Sequence, residues 1–315
     1  MNEGEASPAG ELHDFTGWPD GPLHLAIGVF DGVHVGHRGL ISHLASGAAA
    51  ARAMAVAATF DPLPIQVVAP GAPASALSSA RERSRLLRDA GAAAVVLFRF
   101  DERFASLTAR EFAAGLANAG DVRRIVVGPD FQFGHRREGD VGGLAALGAE
   151  LGFEVDVFPR VADGAAPISS TRIRNALAAG AVEEATRLLG RPYAVEGEVV
   201  HGNRRGRGLG FPTLNIATPP ERLLPKDGIY AMRVALDGHD YAAAASLGVR
   251  PTFGGGPKVL EAHLLDFAGD AYGRRATASF IRWLRDERHF GSPEELAAQI
   301  SRDVDATRAA LGSSG

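Results

Sequence analysis

Ala26-Ile27-Gly28-Val29-Phe30-Asp31-Gly32-Val33-His34-Val35-Gly36-His37 is the stretch on which the fold of this chain turns. It leaves an apolar run, Leu23 to Phe30, passes through a glycine-marked loop and enters an Ala- and Leu-rich segment of helical character, Arg38 to Arg52. His34 and His37 lie three apart with Gly36 between them, so backbone can approach a ligand closely and both imidazoles can face it. At a helix N-terminus this makes a site for a nucleotide phosphate, with N–H groups and imidazole donors aimed at the anion. Two loop histidines alone could equally be solvent-exposed or bind a metal. The position after a strand, together with the glycines, favours the phosphate site.

Outward from this stretch the rhythm repeats. Met54 to Phe60, Ala94 to Phe100, Arg124 to Phe131 and Glu154 to Val161 read as buried strands, with helices at Arg81 to Ala90 and Ala109 to Ala119 between them. Such alternation predicts a parallel sheet with helices on both faces, a Rossmann-like α/β domain whose ligands bind beyond the C-terminal strand ends. Further on, Ile168-Ser169-Ser170-Thr171-Arg172-Ile173-Arg174 sets hydroxyls before arginines at a helix start. Such a patch can cap the helix and also hold phosphate. Alone it reads as a plain cap with solvated arginines. Together with the first loop it suggests attack on the α-phosphate of ATP, with pyrophosphate leaving. A phosphate nucleophile is already anionic, so positioning and charge neutralisation would carry that step without a general base.

Arg191-Pro192-Tyr193 ends the alternation. Short strand candidates follow at Ala194 to His201, Gly228 to Ala235, Tyr241 to Leu247, Val259 to Asp266 and Arg275 to Trp283, joined by Gly- and Pro-bearing turns. This pattern predicts an antiparallel barrel or sandwich. A last amphipathic helix follows Ser292-Pro293, with Ser292 as N-cap and Glu294 and Glu295 near the positive end of its dipole. The expected division is a flexible N-terminus over 1–20, an α/β domain over 21–190 and a β domain with a C-terminal helix over 191–311.

The second half lacks Gly-x-x-x-x-Gly-Lys-Ser/Thr, so a P-loop is not expected. It does carry Gly202, Gly206, Gly208 and Gly210 interleaved with Arg204, Arg205 and Arg207, a cationic loop able to close over phosphates or to remain a solvated basic turn. Phe211-Pro212-Thr213-Leu214-Asn215 then places a hydroxyl and an amide oxygen two apart on extended chain, hence on one face. Both are hard donors of the kind Mg²⁺ accepts beside ATP phosphates. Glu261 and His263 share a strand face within Leu260 to Asp266, where a carboxylate could take a proton from a primary alcohol.

Composition limits the partners. Lys plus Arg number 33 against 37 Asp plus Glu, a net charge of -4, so a nucleic-acid partner is disfavoured. There is no cysteine, which removes disulfides, thiolate metal sites and thiol nucleophiles. No run reaches the length of a membrane span, and the acidic start (Glu3, Glu5, Glu11) is neither a signal nor a transit peptide. A cytoplasmic chain with small-molecule partners, no nucleic acid and no membrane is expected.

The motifs Phe30 to His37, Thr59-Phe60-Asp61-Pro62, Val127 to Gly134 with Arg137 to Asp140, and Ser169 to Arg174 resemble the nucleotidyltransferase module of bacterial bifunctional riboflavin kinase/FAD synthetases. Gly210-Phe211-Pro212-Thr213-Leu214-Asn215, Gly228-Ile229-Tyr230, Leu247 to Phe253, Asp270 to Gly273 and Leu284 to Phe290 are similar to that family's kinase module. The likeness runs in the family's own order from about Leu23 to Asp303.

The resemblance implies an α/β nucleotidyltransferase domain followed by a small antiparallel β-barrel and a helix. It implies ATP as co-substrate with Mg²⁺, and riboflavin, FMN and FAD as substrates and products. For adenylylation it implies Gly28, Phe30, Asp31, Gly32, His34, Gly36, His37, Ser169, Ser170, Thr171 and Arg172 at ATP, with Asp61, Pro62, Asp130, Phe131 and Phe133 at FMN. For the kinase it implies Gly202, Gly206, Arg207, Gly208, Gly210, Phe211 and Pro212 at the ligands, Thr213 and Asn215 at the metal, and Glu261 as base. Two positions depart: Leu63 stands where the family carries histidine between two prolines, and Leu214 stands where alanine is usual in the kinase signature. Two other readings follow, a chain in which only the kinase half works and a non-catalytic flavin or nucleotide binder on the same scaffold.

Overall fold

The computed structural model describes residues 11–12, 14–71, 75–201, 210–249 and 258–312. Contacts divide the chain into two compact units, Met1–Ser169 and Ser170–Gly315.

The first unit is built on parallel strands β1 (Glu11–Leu12), β2 (Pro22–Ile27), β3 (Met54–Asp61), β4 (Ala94–Arg99), β5 (Asp121–Val127) and β6 (Glu154–Val157) in the order β1-β4-β3-β2-β5-β6. Every pairing is parallel. The chain runs from β2 to β4 in one direction, then returns to lay β5 and β6 on the other side of β2. The switch point is therefore between β2 and β5, and the loops leaving those strands face a common crevice.

The sheet has two cores, one on each face. On one side α1 (Val35–Ala51) and α3 (Ala80–Asp89) bury Ile41, Leu44 and Leu87 against Ala57, Val95 and Val126. On the other, α5 (Ala109–Ala119) and α6 (Val141–Leu151) bury Phe112, Leu116 and Leu144 against Leu25, Val56, Val96 and Ile125. These helices begin where side chains satisfy their first N–H groups. Ser79 with Glu82, and Thr108 with Glu111, form reciprocal capping boxes, while Asp140 caps α6. Two short helices, α2 (Pro64–Val68) and α4 (Glu102–Ala105), follow β3 and β4.

Within the segment expected to be a flexible N-terminus, Glu11–Leu12 add an edge strand beside β4. Phe15 and Trp18 pack on Phe98 at ring distances of 4.9 and 6.4 Å, which holds this stretch to the sheet. A charged residue also lies inside: Arg83 of α3 is 1% exposed and donates to the Phe60 carbonyl at 2.5 Å. Burial lowers its pKa, and Asp31, Asp61 and Glu82 oppose that by favouring its charge.

After the hairpin β7 (Ala162–Asp163) and β8 (Ala166–Pro167), the second unit opens with α7 (Ser170–Ala178) and α8 (Val182–Leu189). It continues into a closed barrel of β9 (Tyr193–Val200), β10 (Leu214–Ala217), β11 (Gly228–Leu236), β12 (His239–Val249), β13 (Lys258–Leu264) and β14 (Arg275–Arg285), in the order β10-β13-β12-β11-β14-β9. All its pairings are antiparallel, and β9 pairing with β10 closes the ring. Period-two alternation sends Tyr193, Val195 and Val199 of β9, and Leu260, Ala262 and Leu264 of β13, to buried positions. The barrel reading of the sequence therefore holds over the sandwich. The last helix, α9 (Pro293–Gly312), packs on β11, β12 and β14, and Ser292 caps it by accepting from the Glu295 N–H at 3.2 Å.

Candidate functional site

In the first unit, β2 ends at Ile27 and the loop Gly28 to His34 crosses the C-terminal edge of the sheet. Phe30 and Val33 adopt positive φ (48° and 39°), and both side chains are buried, so packing holds a backbone shape that L-residues rarely take. Asp31 is 1% exposed; its carboxylate accepts from the N–H groups of Leu77 (2.9 and 3.0 Å) and Ser78 (3.1 Å). The Gly32 N–H donates to the Ser78 hydroxyl at 3.0 Å. Asp31 thus anchors the loop.

The loop delivers His34 as the N-cap of α1, where its Nδ1 accepts from the His37 N–H at 3.2 Å. The two imidazoles stack with centroids 3.5 Å apart and planes 16° apart, and Phe30 meets His37 edge-on at 5.2 Å. Gly36 makes room: a Cβ there would stand 3.2 Å from the His34 ring. Burial, and after it the nearness of His34, hold the His37 pKa well below its ordinary value. A neutral His37 at the positive end of α1 can donate to an anion without becoming charged itself.

The other end of the loop, Gly28 and Val29, lines a cavity of about 760 Å³. More of the wall comes from Phe60 near the end of β3, Phe100 after β4, Phe104 of α4, Phe112 of α5 and the stretch Asp130 to Arg137 after β5. Phe131 and Phe133 stack at 5.5 Å. The cavity is thus aromatic within, and His135, Arg136 and Arg137 are among its lining residues. Such a space suits a planar aromatic ligand carrying an anionic group.

Among the sequence-expected flavin residues, Asp130, Phe131 and Phe133 line this cavity. Asp61 and Pro62 are not among its lining residues, although their neighbours Phe60 and Pro64 are. Leu63 is 3% exposed and caps α2, its N–H donating to Gln66 Oε1 at 2.7 Å. Ser169 closes the first unit, whereas Ser170, Thr171 and Arg172 begin α7 in the second. Arg172 donates to Glu184 of α8 through Nε and Nη2 at 3.1 and 2.9 Å. Sequence reasoning missed Phe100, Phe104, His135 and Arg136, and quoted Arg137 only within a motif; the Phe-x-x-x-Phe spacing and the basic triplet after Gly134 were the available signals.

In the second unit, Asn215 and Glu261 are direct cross-strand partners of β10 and β13, so their side chains share one face. Asn215 is 4% exposed. A cavity of about 470 Å³ opens here, lined by Phe211, Thr213, Glu261 and His263. His263 Nδ1 donates to the Pro212 carbonyl at 2.8 Å, and its ring meets Phe211 edge-on at 5.4 Å, which fixes the chain leading into β10.

More of the wall comes from the matched segment Leu284 to Phe290, to which sequence reasoning assigned no site role, and from a helix face it did not mark. Arg285 at the end of β14 and Glu287, Arg288, His289 and Phe290 after it line the cavity, with Leu296, Ile300 and Asp303 of α9. Arg285 forks onto Asp303 at 2.9 and 2.6 Å, tying the exit of β14 to α9. Glu287 lies against Gly248, where a Cβ would come within 2.4 Å of its Oε1. Desolvation, then Asp227, raise the Glu287 pKa above the usual carboxylate value. Gly210 has φ +85° and Phe211 follows it, whereas Gly202, Gly206, Arg207, Gly208 and the Arg250 to Phe253 motif lie outside the described residues.

A parallel α/β unit with a phosphate-type helix start and an aromatic cavity, joined to a barrel with a carboxylate beside hard oxygen donors, defines a chain of the nucleotide-using transferase class. A family model described as FAD synthetase matches residues 19–172, and one described as riboflavin kinase matches 189–311. The bifunctional riboflavin kinase/FMN adenylyltransferase of Escherichia coli (strain K12) is 38% identical over 303 residues, covering 96% of each chain. That of Pseudomonas fluorescens is 40% identical, covering 90% of this chain and 91% of the relative. A crystal structure from Streptococcus pneumoniae, described as a macrolide-efflux protein, matches at TM-score 0.86 and 34% identity, over 95% of this chain and 98% of the other. The efflux name belongs to that protein. This chain belongs to the family of bifunctional riboflavin kinase/FMN adenylyltransferases.

Proposed function

We propose that the chain makes two successive transfers from ATP. The barrel unit phosphorylates riboflavin to FMN, and the α/β unit adenylylates FMN to FAD with release of pyrophosphate. The assignment follows the family order, adenylyltransferase over 21–190 and kinase over 191–311. The observation that carries adenylylation is the shared loop: Gly28 and Val29 wall the aromatic cavity while His34, six residues on, caps α1. A flavin in that cavity brings its phosphate towards a nucleotide held at the helix start.

In this reading FMN seats its ring among Phe131, Phe133 and Phe104. Its phosphate oxygen attacks the α-phosphorus of ATP, and the bond to pyrophosphate breaks. His34, His37 and the N–H groups of the first turn neutralise the charge that develops. In the kinase, Glu261 accepts the proton of the ribityl 5′-hydroxyl as that oxygen attacks the γ-phosphorus and ADP leaves. Thr213 and Asn215 would hold a Mg²⁺, since both offer neutral hard oxygens near the Glu261 carboxylate. The ion, when bound, would offset the charge of the ATP phosphates.

Among the described residues no helix is long and apolar enough to cross a membrane. A cytoplasmic place and small-molecule partners belong to the same proposal. Incubating purified protein with riboflavin, ATP and Mg²⁺ and separating flavins over time tests it: FMN first and FAD second is expected. FMN alone would favour the kinase-only reading that Leu63 motivates; binding with no product would favour a non-catalytic flavin protein.

A further inference from the structure

Arg160 follows β6 at the C-terminal edge of the sheet, where the loops of the adenylylation unit gather. Its neighbours fix its place. The Phe158 N–H donates to the Val127 carbonyl at 2.9 Å, so the segment is tied to the end of β5. Phe158 and Val161 lie over the start of α1: a Cβ on Gly39 would stand 3.2 Å from the Phe158 ring, and one on Gly36 would stand 3.7 Å from Val161 Cβ. Between these contacts, Arg160 reaches Asp130 with Nε at 2.8 Å and with Nη2 as a second donor. Asp130 lines the aromatic cavity. The guanidinium thus bridges the rim of that cavity and the chain lying on the first turn of α1.

Both partners are exposed, with side-chain accessibilities of 59% and 70%. An exposed pair is weakly held, so its guanidinium can change partners at little cost. A phosphate oxygen offers the same planar fork a stronger, more highly charged acceptor. The pairing also has an electrostatic consequence, since a bare carboxylate on the rim would repel an incoming phosphate.

We propose that Arg160 is a phosphoryl-binding residue of the adenylylation site, held on Asp130 when the site is empty and transferred to a substrate phosphate when it fills. The inference rests on the adenylylation reading above and extends it to a residue that no motif marked. The ligand chemistry is a phosphoryl group, carried either by FMN or by ATP.

The test uses the full chain as wild type, Arg160→Ala, Arg160→Lys and the double variant Arg160→Ala/Asp130→Asn. KM is measured for FMN at saturating ATP and for ATP at saturating FMN, and calorimetric titration with each reads binding without turnover. Thermal melting and circular dichroism of each variant report intact folding, and unchanged riboflavin phosphorylation shows that the second unit is unaffected. Loss of one charge-assisted fork is expected to raise KM and Kd about tenfold for the substrate whose phosphate Arg160 holds. Lysine should restore part of it, and the double variant should restore none. The substrate that responds identifies the phosphate. Unchanged constants in Arg160→Ala would overturn the proposal, as would full recovery in the double variant, which would mean that Arg160 only masks Asp130. Absence of FAD from the wild type, with the calorimetric loss still present, would sink the adenylylation reading and leave Arg160 as a phosphate ligand.

Discussion

The imidazoles of His34 and His37 lie stacked 3.5 Å apart at the first turn of α1, and His34 caps the helix through the His37 N–H. A protonated His37 at that spacing, at the positive end of the helix, would be disfavoured, so this ring is held neutral. The His37 pKa is lowered well below 6.5 by burial and then by His34, and that of buried His24 is lowered by burial and then by Arg124. Unfolded chains bind these protons from pH 6.5 downward while the folded chain does not. Stability is therefore complete above 6.5 and falls as pH drops below it, by up to about 1.4 kcal/mol per pH unit for each group. Urea midpoints between pH 8 and 5 should show this fall, and His37→Gln should flatten it; an unchanged slope would mean that His37 titrates normally.

Glu261 and Asn215 face each other across β13 and β10. Glu261→Gln keeps the shape and removes the base. FMN formation should fall by roughly 10²–10⁴-fold, the usual worth of a general base. Adenylylation of supplied FMN should stay within error of wild type, and Tm should hardly move. Wild-type FMN formation in this variant would take Glu261 out of the mechanism.

The strands were legible because buried strands are apolar runs, but their ends were not. The sequence reading carried β2 to Phe30, β5 to Phe131 and β6 to Val161, whereas the strands stop at Ile27, Val127 and Val157. In each case hydrophobicity continues past the last ladder bond for another reason. Val29 and Phe131 line the cavity, Phe30 is buried beside His37, and Phe158 packs on α1. Periodicity cannot tell a residue buried in a sheet from one buried beyond its edge. In the barrel, alternation located the strands but could not distinguish closure from a sandwich, because the ring also needs β9 to pair with β14 and β10 with β13, strands far apart in the chain. The Arg285–Asp303 fork and the α9 wall were hidden for the same reason: both join residues whose local sequences look like ordinary exposed charges and an ordinary helix face.

Gly134 turns the chain from Phe133 into the basic triplet at the cavity, with φ +76°. A Cβ there would stand 2.6 Å from the Ala109 backbone nitrogen, which cannot move without shifting the start of α5. Gly134→Ala therefore combines a left-handed backbone cost with a backbone clash, roughly 1–3 kcal/mol or more. The Phe131–Phe133 wall and Arg136 should shift together. A higher KM for FMN in adenylylation is expected, with riboflavin phosphorylation little changed. Equal losses in both activities would point to general misfolding instead.

Leu63 decides whether the missing family histidine disables the first unit. Its side chain is 3% exposed and its backbone caps α2, while the cavity wall on either side is made by Phe60 and Pro64. At this position the chain has a packing residue. Leu63→His would bury an imidazole in place of an apolar side chain, at roughly 1–3 kcal/mol if it finds no partner. The variant should therefore melt several degrees lower and adenylylate FMN no faster than wild type. A histidine that raised the rate of FAD formation would reverse this argument: position 63 would then face the reacting nucleotide, and leucine there would be a defect in the site.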